Sequence, residues 1–406
     1  MADTSSWNGS VRVALPDGRA CMNGDPEAMT WRTSDVHARR RPSHCARQVL
    51  PGLVSRLFAA SLLAAILAGG PAWSCAFHTY KPARTAVDWL IEARDLVLAR
   101  PDPQNQFAFR IVHVIRDGAA SDQIPFLVNS QIRRRLAANP DDAVLFAAGD
   151  DAQWRLVAYV DPDFRPIMRA VLDTADRWRT GYHPARLEMA AALQDHPSPA
   201  LRDLSLRELD KAPYSLLRRI DLSIPPEALI ASLWNREDYP YQSIKVLLLG
   251  LTRSEKARSE IRAFIDRVAD WDEARNLGAF ATALVELDRA GGIARLEDTI
   301  LADRSQPLQK VEQVIEALTI HNGVGSLKLR KAIAAALRRL VQARPETAAL
   351  VARQFAARSD WSQASWLKTG VQPDNIPGLA DRLAVESYLA RAKAVGASLS
   401  TAERGH

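Results

Sequence analysis

Three cysteines in 406 residues are too few for a disulfide framework. Cys21 and Cys45 lie far upstream of Cys75, and no cysteine follows it. Long hydrophobic runs are also missing: the longest, Leu57–Ala68, falls well short of the roughly 20 residues that span a hydrocarbon core. Nor is there an excess of one charge. The net charge is +6; the first 74 residues hold 8 of the 53 Lys/Arg and 5 of the 47 Asp/Glu, which leaves 45 against 42. So balanced a body offers no field for steering onto phosphate backbones, and nucleic acid is not an expected partner. The chain has no His-Glu-x-x-His, paired Cys-x-x-Cys, Gly-x-Ser-x-Gly or Gly-x-x-x-x-Gly-Lys motif. No catalytic residues and no cofactor are therefore expected, and the chain does not read as an enzyme.

What is present begins with an export pattern. Arg47 and Arg56 precede Leu57–Ala68, a Gly69-Gly70-Pro71 break follows, and Ala72-Trp73-Ser74 places small residues three and one positions before a cut. A positive region, a short apolar core and a small-residue site make residues 46–74 a secretory signal peptide. Residues 1–45 are rich in Gly, Pro, Ser and Arg without apolar periodicity and read as a disordered leader or a start assigned too early. The expected location is periplasmic or secreted. With Cys75 at the new N-terminus, a lipid anchor in the envelope is the alternative, and the only membrane attachment expected.

After the signal, two textures follow. Residues 75–165 alternate with period two: Asp95–Arg100, Phe107–Arg116, Ala143–Ala147 and Trp154–Val160 read as strands. Phe107, Phe109, Ile111, His113 and Ile115 should share one face, with His113 in the core. Thr85–Glu92 and Ser130–Ala138 read as helices, the latter opened by Ser130. Residues 166–395 turn helical. Ile261, Phe264, Ile265 and Val268 form an i, i+3, i+4, i+7 stripe, and Leu329, Ile333, Leu337 and Leu340 form another. Segments of 12–16 residues broken by Pro or Gly have the size of repeat units. Residues 396–406 read as a loose tail. The expected fold class is α+β and multidomain: a small N-terminal β-barrel or sandwich, then an all-α array, an irregular bundle being the alternative.

Asp195–Ala212, with its Asp, its turn, then Leu201-Arg202, Leu206 and Leu209, resembles the second half of a HEAT motif. That resemblance implies a HEAT-like solenoid with an extended, usually concave, binding surface. Cys75-Ala76-Phe77, a helix and the strand Asp95–Arg100 resemble the start of a netrin-like or metalloprotease-inhibitor domain, an OB-type barrel. The resemblance implies that Cys75 would reach a partner's metal. In that family a disulfide ties this cysteine down, and here it has no partner cysteine.

Single residues add little chemistry. Cys75 with His78 is the one pair that could hold a metal. His321-Asn322-Gly323 reads as a helix end, with Gly323 supplying a positive φ. Asp141-Asp142 and Asp150-Asp151 read as turns, and Arg133-Arg134-Arg135 as the wet face of a helix. Trp234, Tyr239, Tyr241, Trp271, Trp361 and Trp366 fall near helix ends or loops, where such residues are either core plugs or interface anchors. The expected function is an exported, non-catalytic scaffold or adaptor that binds a protein partner. The alternatives are a regulator or inhibitor of an exported metalloenzyme through Cys75, and an enzyme of unknown class.

Overall fold

The computed structural model describes residues 83–117, 123–271 and 275–402, all within the compact unit Gly69–His406. The leader, the signal segment, Cys75 and His78 lie outside the described residues.

Helix α1 (Ala86–Glu92) opens on a capping box: Thr85 Oγ1 accepts from Asp88 N, and Asp88 accepts from Thr85 N at 2.7 Å. Two otherwise unpaired amides are thereby satisfied. Strands β1 (Asp95–Pro101), β2 (Ala108–Arg116) and β3 (Ile124–Leu127) lead to α2 (Ser130–Ala138), then β4 (Ala143–Ala148) and β5 (Trp154–Val160). Asn129, one residue before the expected cap, holds the start of α2 by accepting from Ile132 N at 2.8 Å. The five strands form one antiparallel sheet in the order β3-β2-β1-β4-β5, curled into a half-barrel.

Alternation gives the sheet two apolar faces. Val97, Ala99, Phe146 and Trp154 pack with Leu136 of α2 on one side. Leu96, Leu145, Ala147 and Val160 face α1 on the other. β4 is buried on both faces, which is why its sequence is an unbroken apolar run. β2 departs from expectation. Its pairing with β1 slips twice, between Leu96/Val97 and between Leu98/Ala99, and each slip exchanges inward and outward side chains. Phe109 and Ile111 therefore join the α2 face while Ile115 packs on the opposite one. His113 is exposed, not in the core.

Helix α3 (Phe164–Trp178) follows β5 directly. Its Phe164, Ile167, Met168, Val171, Ala175 and Trp178 extend the α1 face of the sheet into a cluster that also takes in Leu193, Leu201 and Leu204. Leu193 directly follows α4 (Pro184–Ala192), and Leu201 and Leu204 belong to α5 (Pro199–Leu209). A short α6 (Tyr214–Leu217) precedes α7 (Pro226–Ser232), α8 (Gln242–Leu251), α9 (Glu255–Val268), α10 (Leu277–Asp288) and α11 (Ala290–Leu296). The chain then runs through α12 (Leu308–Val324), α13 (Leu327–Ala343), α14 (Ala348–Ala357), α15 (Ala364–Gly370) and α16 (Leu379–Ala402). The structure is thus α+β, a sheet followed by many helices.

The helices pack alternately: α8 on α10, α10 on α12, α12 on α14 and α14 on α16, while α7 packs on α9 and α11 on α13. Leu277–Leu287 is buried throughout, so α10 presents no face to solvent. α8 crosses it very closely, since a Cβ on Gly250 would stand 2.7 Å from the Ala283 Cβ. One capping device recurs. Gln242 Nε2 donates to the Leu233 carbonyl at 3.2 Å and Lys245 Nζ to the Ser232 carbonyl at 3.2 Å, closing the end of α7. Gln306 Nε2 and Lys310 Nζ close the end of α9 in the same way, donating to Ala269 at 3.0 Å and Val268 at 2.9 Å. Helix C-termini leave carbonyls without intrahelical donors and attract cations.

Candidate functional site

Of the six aromatic residues singled out by the sequence, the structure brings two together. Trp234 follows α7, and its ring is stacked 6.1 Å from both Phe264 of α9 and Phe280 of α10. Phe264 and Phe280 are themselves stacked 3.5 Å apart. Trp271, after α9, meets Phe264 edge-on at 5.6 Å. Each indole has one side on this stack, yet Trp234 is 49% and Trp271 42% exposed. Trp234 Nε1 donates to Glu260 at 3.2 Å. Rigid aromatic surface with a polar handle is the material of interface anchors.

The other four are placed differently. Tyr239 is exposed in the 3-10 turn Arg236–Tyr241. Tyr241 packs against the core with the Arg207 guanidinium 5.3 Å over its ring, and burial pushes its phenol pKa up. Trp361 packs on Tyr388 at 5.3 Å, and Trp366 donates to Gln363 at 2.7 Å. Both are partly buried against the helical core and serve there as packing.

Two buried ion networks escaped the sequence reading. In the first, Arg186 of α4 donates through Nε to Glu208 of α5 at 2.6 Å and through Nη2 to Asp88 of α1 at 2.6 Å. Thr85 Oγ1 donates to Glu208, and Lys211 pairs with Asp88. Burial alone would raise the Asp88 pKa, but Lys211 and Arg186 hold it below its ordinary value.

The second network joins α6, α10 and α12. Glu286, whose side chain is fully buried, accepts from Tyr214 at 3.2 Å, Arg218 Nε at 3.0 Å and Arg289 at 3.0 Å. Arg218 Nη1 also donates to the Val324 carbonyl at 3.1 Å. His321 sits in the last turn of α12, at the helix end that the sequence predicts, and its carbonyl accepts from Gly325 N at 2.8 Å. Gly323 does not have a positive φ; among the described residues Gly181 is the one glycine that does. His321 Nε2 donates to the Thr282 carbonyl at 2.9 Å, leaving Nδ1 buried, without a hydrogen-bond partner and 4.0 Å from Glu286. Burial lowers the imidazole pKa to about 4, against the Thr282 and Glu286 contacts that raise it. Burial pushes Tyr214 well above its ordinary value. For Glu286, Arg218, His321 and Arg289 overcome the upward effect of burial.

A Glu–His–Tyr group of this kind has acid–base residues but no reach. His321 is 0% exposed, and proton transfer to a substrate requires hydrogen-bond access to it. Both networks instead tie helices together. No three His, Cys, Asp or Glu among the described residues are grouped to hold a metal ion, and no described helix is long and apolar enough to cross a membrane. Arg133 and Arg135 are less free than a wet helix face suggests: Arg133 stands 5.2 Å over the Phe107 ring, and Arg135 3.6 Å over Tyr159 while pairing with Asp161 at 2.9 Å. Comparison with protein-family models, curated proteins and solved structures returned no match.

Proposed function

We propose that the protein is an exported, non-catalytic interaction module of the envelope, which docks a protein partner through the patch formed by Trp234 and Trp271. The observation that carries this reading is the half-exposed indole pair seated on the Phe264–Phe280 stack. Side chains already held by packing lose little entropy when a partner covers them, and hot spots are enriched in Trp for that reason. Glu260 adds an acidic group beside Trp234.

We infer further that α7–α14 are a HEAT-like array. Alternate packing of α8, α10, α12 and α14, whose starts are spaced 31–40 residues apart, supports this. The twice-used Gln and Lys cap supports it as well. α10 offers no concave surface, so the docking face of such an array lies at its rim, where both indoles are. Five antiparallel strands curled around a helix inserted between β3 and β4 support an OB-type reading of the sheet.

The test is in-cell cross-linking and capture on a C-terminal tag, comparing the native protein with Trp234→Ala/Trp271→Ala. One stoichiometric envelope protein retained by the native chain and lost by the variant is the expected result. An identical set retained by both, or nothing retained by either, overturns the proposal.

A further inference from the structure

Helix α13 carries five bases, Lys328, Arg330, Lys331, Arg338 and Arg339, and no acid. All five are exposed. Arg339 pairs with Glu297 at 2.8 Å. The side chains of the other four make no hydrogen bond or ion pair among the described residues, and Arg338 stands 5.9 Å over the Trp366 ring. Other helices neutralise their cations: Arg258 and Arg262 of α9 share Asp288, and Arg295 of α11 holds Asp266.

Stability of the fold does not account for this arrangement. Lys328, Arg330 and Lys331 crowd the start of α13, where the macrodipole is positive and disfavours cations. Lys328 and Lys331 are also a like-charge pair at i, i+3, which repels. No acid in the first turn offsets them. Local rules broken without a compensating gain mark places kept for function. Leu327, the first residue of the same helix, is 64% exposed. At about 100° per residue, Leu327, Lys331 and Arg338 fall within about 40° of one another, with Lys328 and Arg330 on either side. The small Ala334 and Ala335 keep the surface between them flat.

We propose that this face of α13 rests on an anionic phospholipid surface. Headgroup phosphates meet Lys328, Arg330, Lys331 and Arg338, and they also find the positive end of the helix. Leu327, seated among the cations, passes the headgroups to the acyl boundary. The match rests on charge and on order: a flat row of cations around one exposed leucine suits a plane of phosphates with hydrocarbon behind it. A nucleic acid offers the phosphates without the hydrocarbon, so Leu327 distinguishes the two. The attachment is peripheral, each cation multiplying affinity by about five.

The experiment is co-sedimentation of the full chain with vesicles of equal parts phosphatidylglycerol and phosphatidylcholine, and with vesicles of phosphatidylcholine alone. Binding to the first at low salt, absent from the second and lost near about 1 M salt, is the expected result. Lys328→Gln/Lys331→Gln should weaken it roughly 25-fold, and Leu327→Ser about tenfold. Arg219→Gln, which removes an equally exposed cation after α6, should leave it unchanged. The lysine variant should melt no lower than the native chain, since the cations it loses oppose the helix dipole. Undetectable binding, equal binding to both vesicles, affinity unmoved by the α13 variants, an equal loss from Arg219→Gln, tighter retention by duplex DNA than by the anionic vesicles, or a lower melting temperature of the lysine variant each overturns the proposal, whatever becomes of the indole patch.

Discussion

The two buried ion networks solve one problem in different ways. Around Arg186, two carboxylates (Asp88, Glu208) meet two cations (Arg186, Lys211), and the charges cancel. Around Glu286, one carboxylate meets Arg218 and Arg289, and a neutral imidazole stands beside an excess of positive charge. The first network is sealed at its centre, with side-chain exposures of 8% for Arg186 and 0% for Glu208. The second places its cations at the boundary, at 24% for Arg218 and 46% for Arg289. A balanced buried network is costly to break and indifferent to mild acid. An unbalanced one that reaches water is cheaper to break, but it contains a group that acid will charge.

Arg186→Ala should have the largest effect, about 3–5 kcal/mol by chemical denaturation, because it leaves the buried Glu208 without its cation and Asp88 with Lys211 alone. A loss under 1 kcal/mol would show that the first network is not the joint described. Acid should act next, and on the second network. His321 has a folded pKa of about 4, below the unfolded value of about 6.5. The unfolded chain therefore takes up this proton first, and stability falls as pH drops from about 6.5 to about 4, by roughly 3 kcal/mol in total. Glu316 has the opposite sign: burial lifts its pKa to about 7 in spite of Arg358 at 3.2 Å, so it favours the fold as pH falls toward 4.5. The readout is thus the difference between the native protein and His321→Gln across that window; parallel curves would refute the assignment. Asp88, held below 3.8, contributes stability that is present above that pH and lost only beneath it.

Glu286→Gln should cost less than Arg186→Ala, about 1–3 kcal/mol, since Arg218 and Arg289 can turn toward water. An equal or larger loss would erase the contrast between the networks. Arg289→Ala should do least at neutral pH, under about 1 kcal/mol. By removing the excess charge it should raise the His321 pKa, a shift that NMR titration of the imidazole would read. No shift would mean that Arg289 is too well solvated to be felt by the ring.

Much of the local structure was legible, and its joints were not. Ser130–Ala138 and Trp154–Val160 were found with the bounds the structure gives them, because a polar–apolar period is written along a single element. Helix α3 falls in the stretch read as helical but has no bounds of its own there, although Phe164, Ile167, Met168, Val171 and Ala175 follow helical spacing. The bulges of β2 leave no such signature, since a slip in pairing is a property of two strands. Asp88 and Arg186 are 98 residues apart, and no periodicity announces that they meet. Trp234 and Trp271 were identifiable by type and position, but their shared seat on Phe264 depends on how α7, α9 and α10 pack.

The lysine that closes α9 has a consequence in time. Lys310 follows Val268 by 42 residues. At about 5–20 residues per second of synthesis, the end of α9 waits roughly two to eight seconds for its donor. During that interval the ribosome, or whatever holds the nascent chain, carries a helix whose last carbonyls are met by water alone. A helical region built with this cap cannot be completed turn by turn as it emerges, because the ends of α7 and α9 are each finished by a helix not yet made.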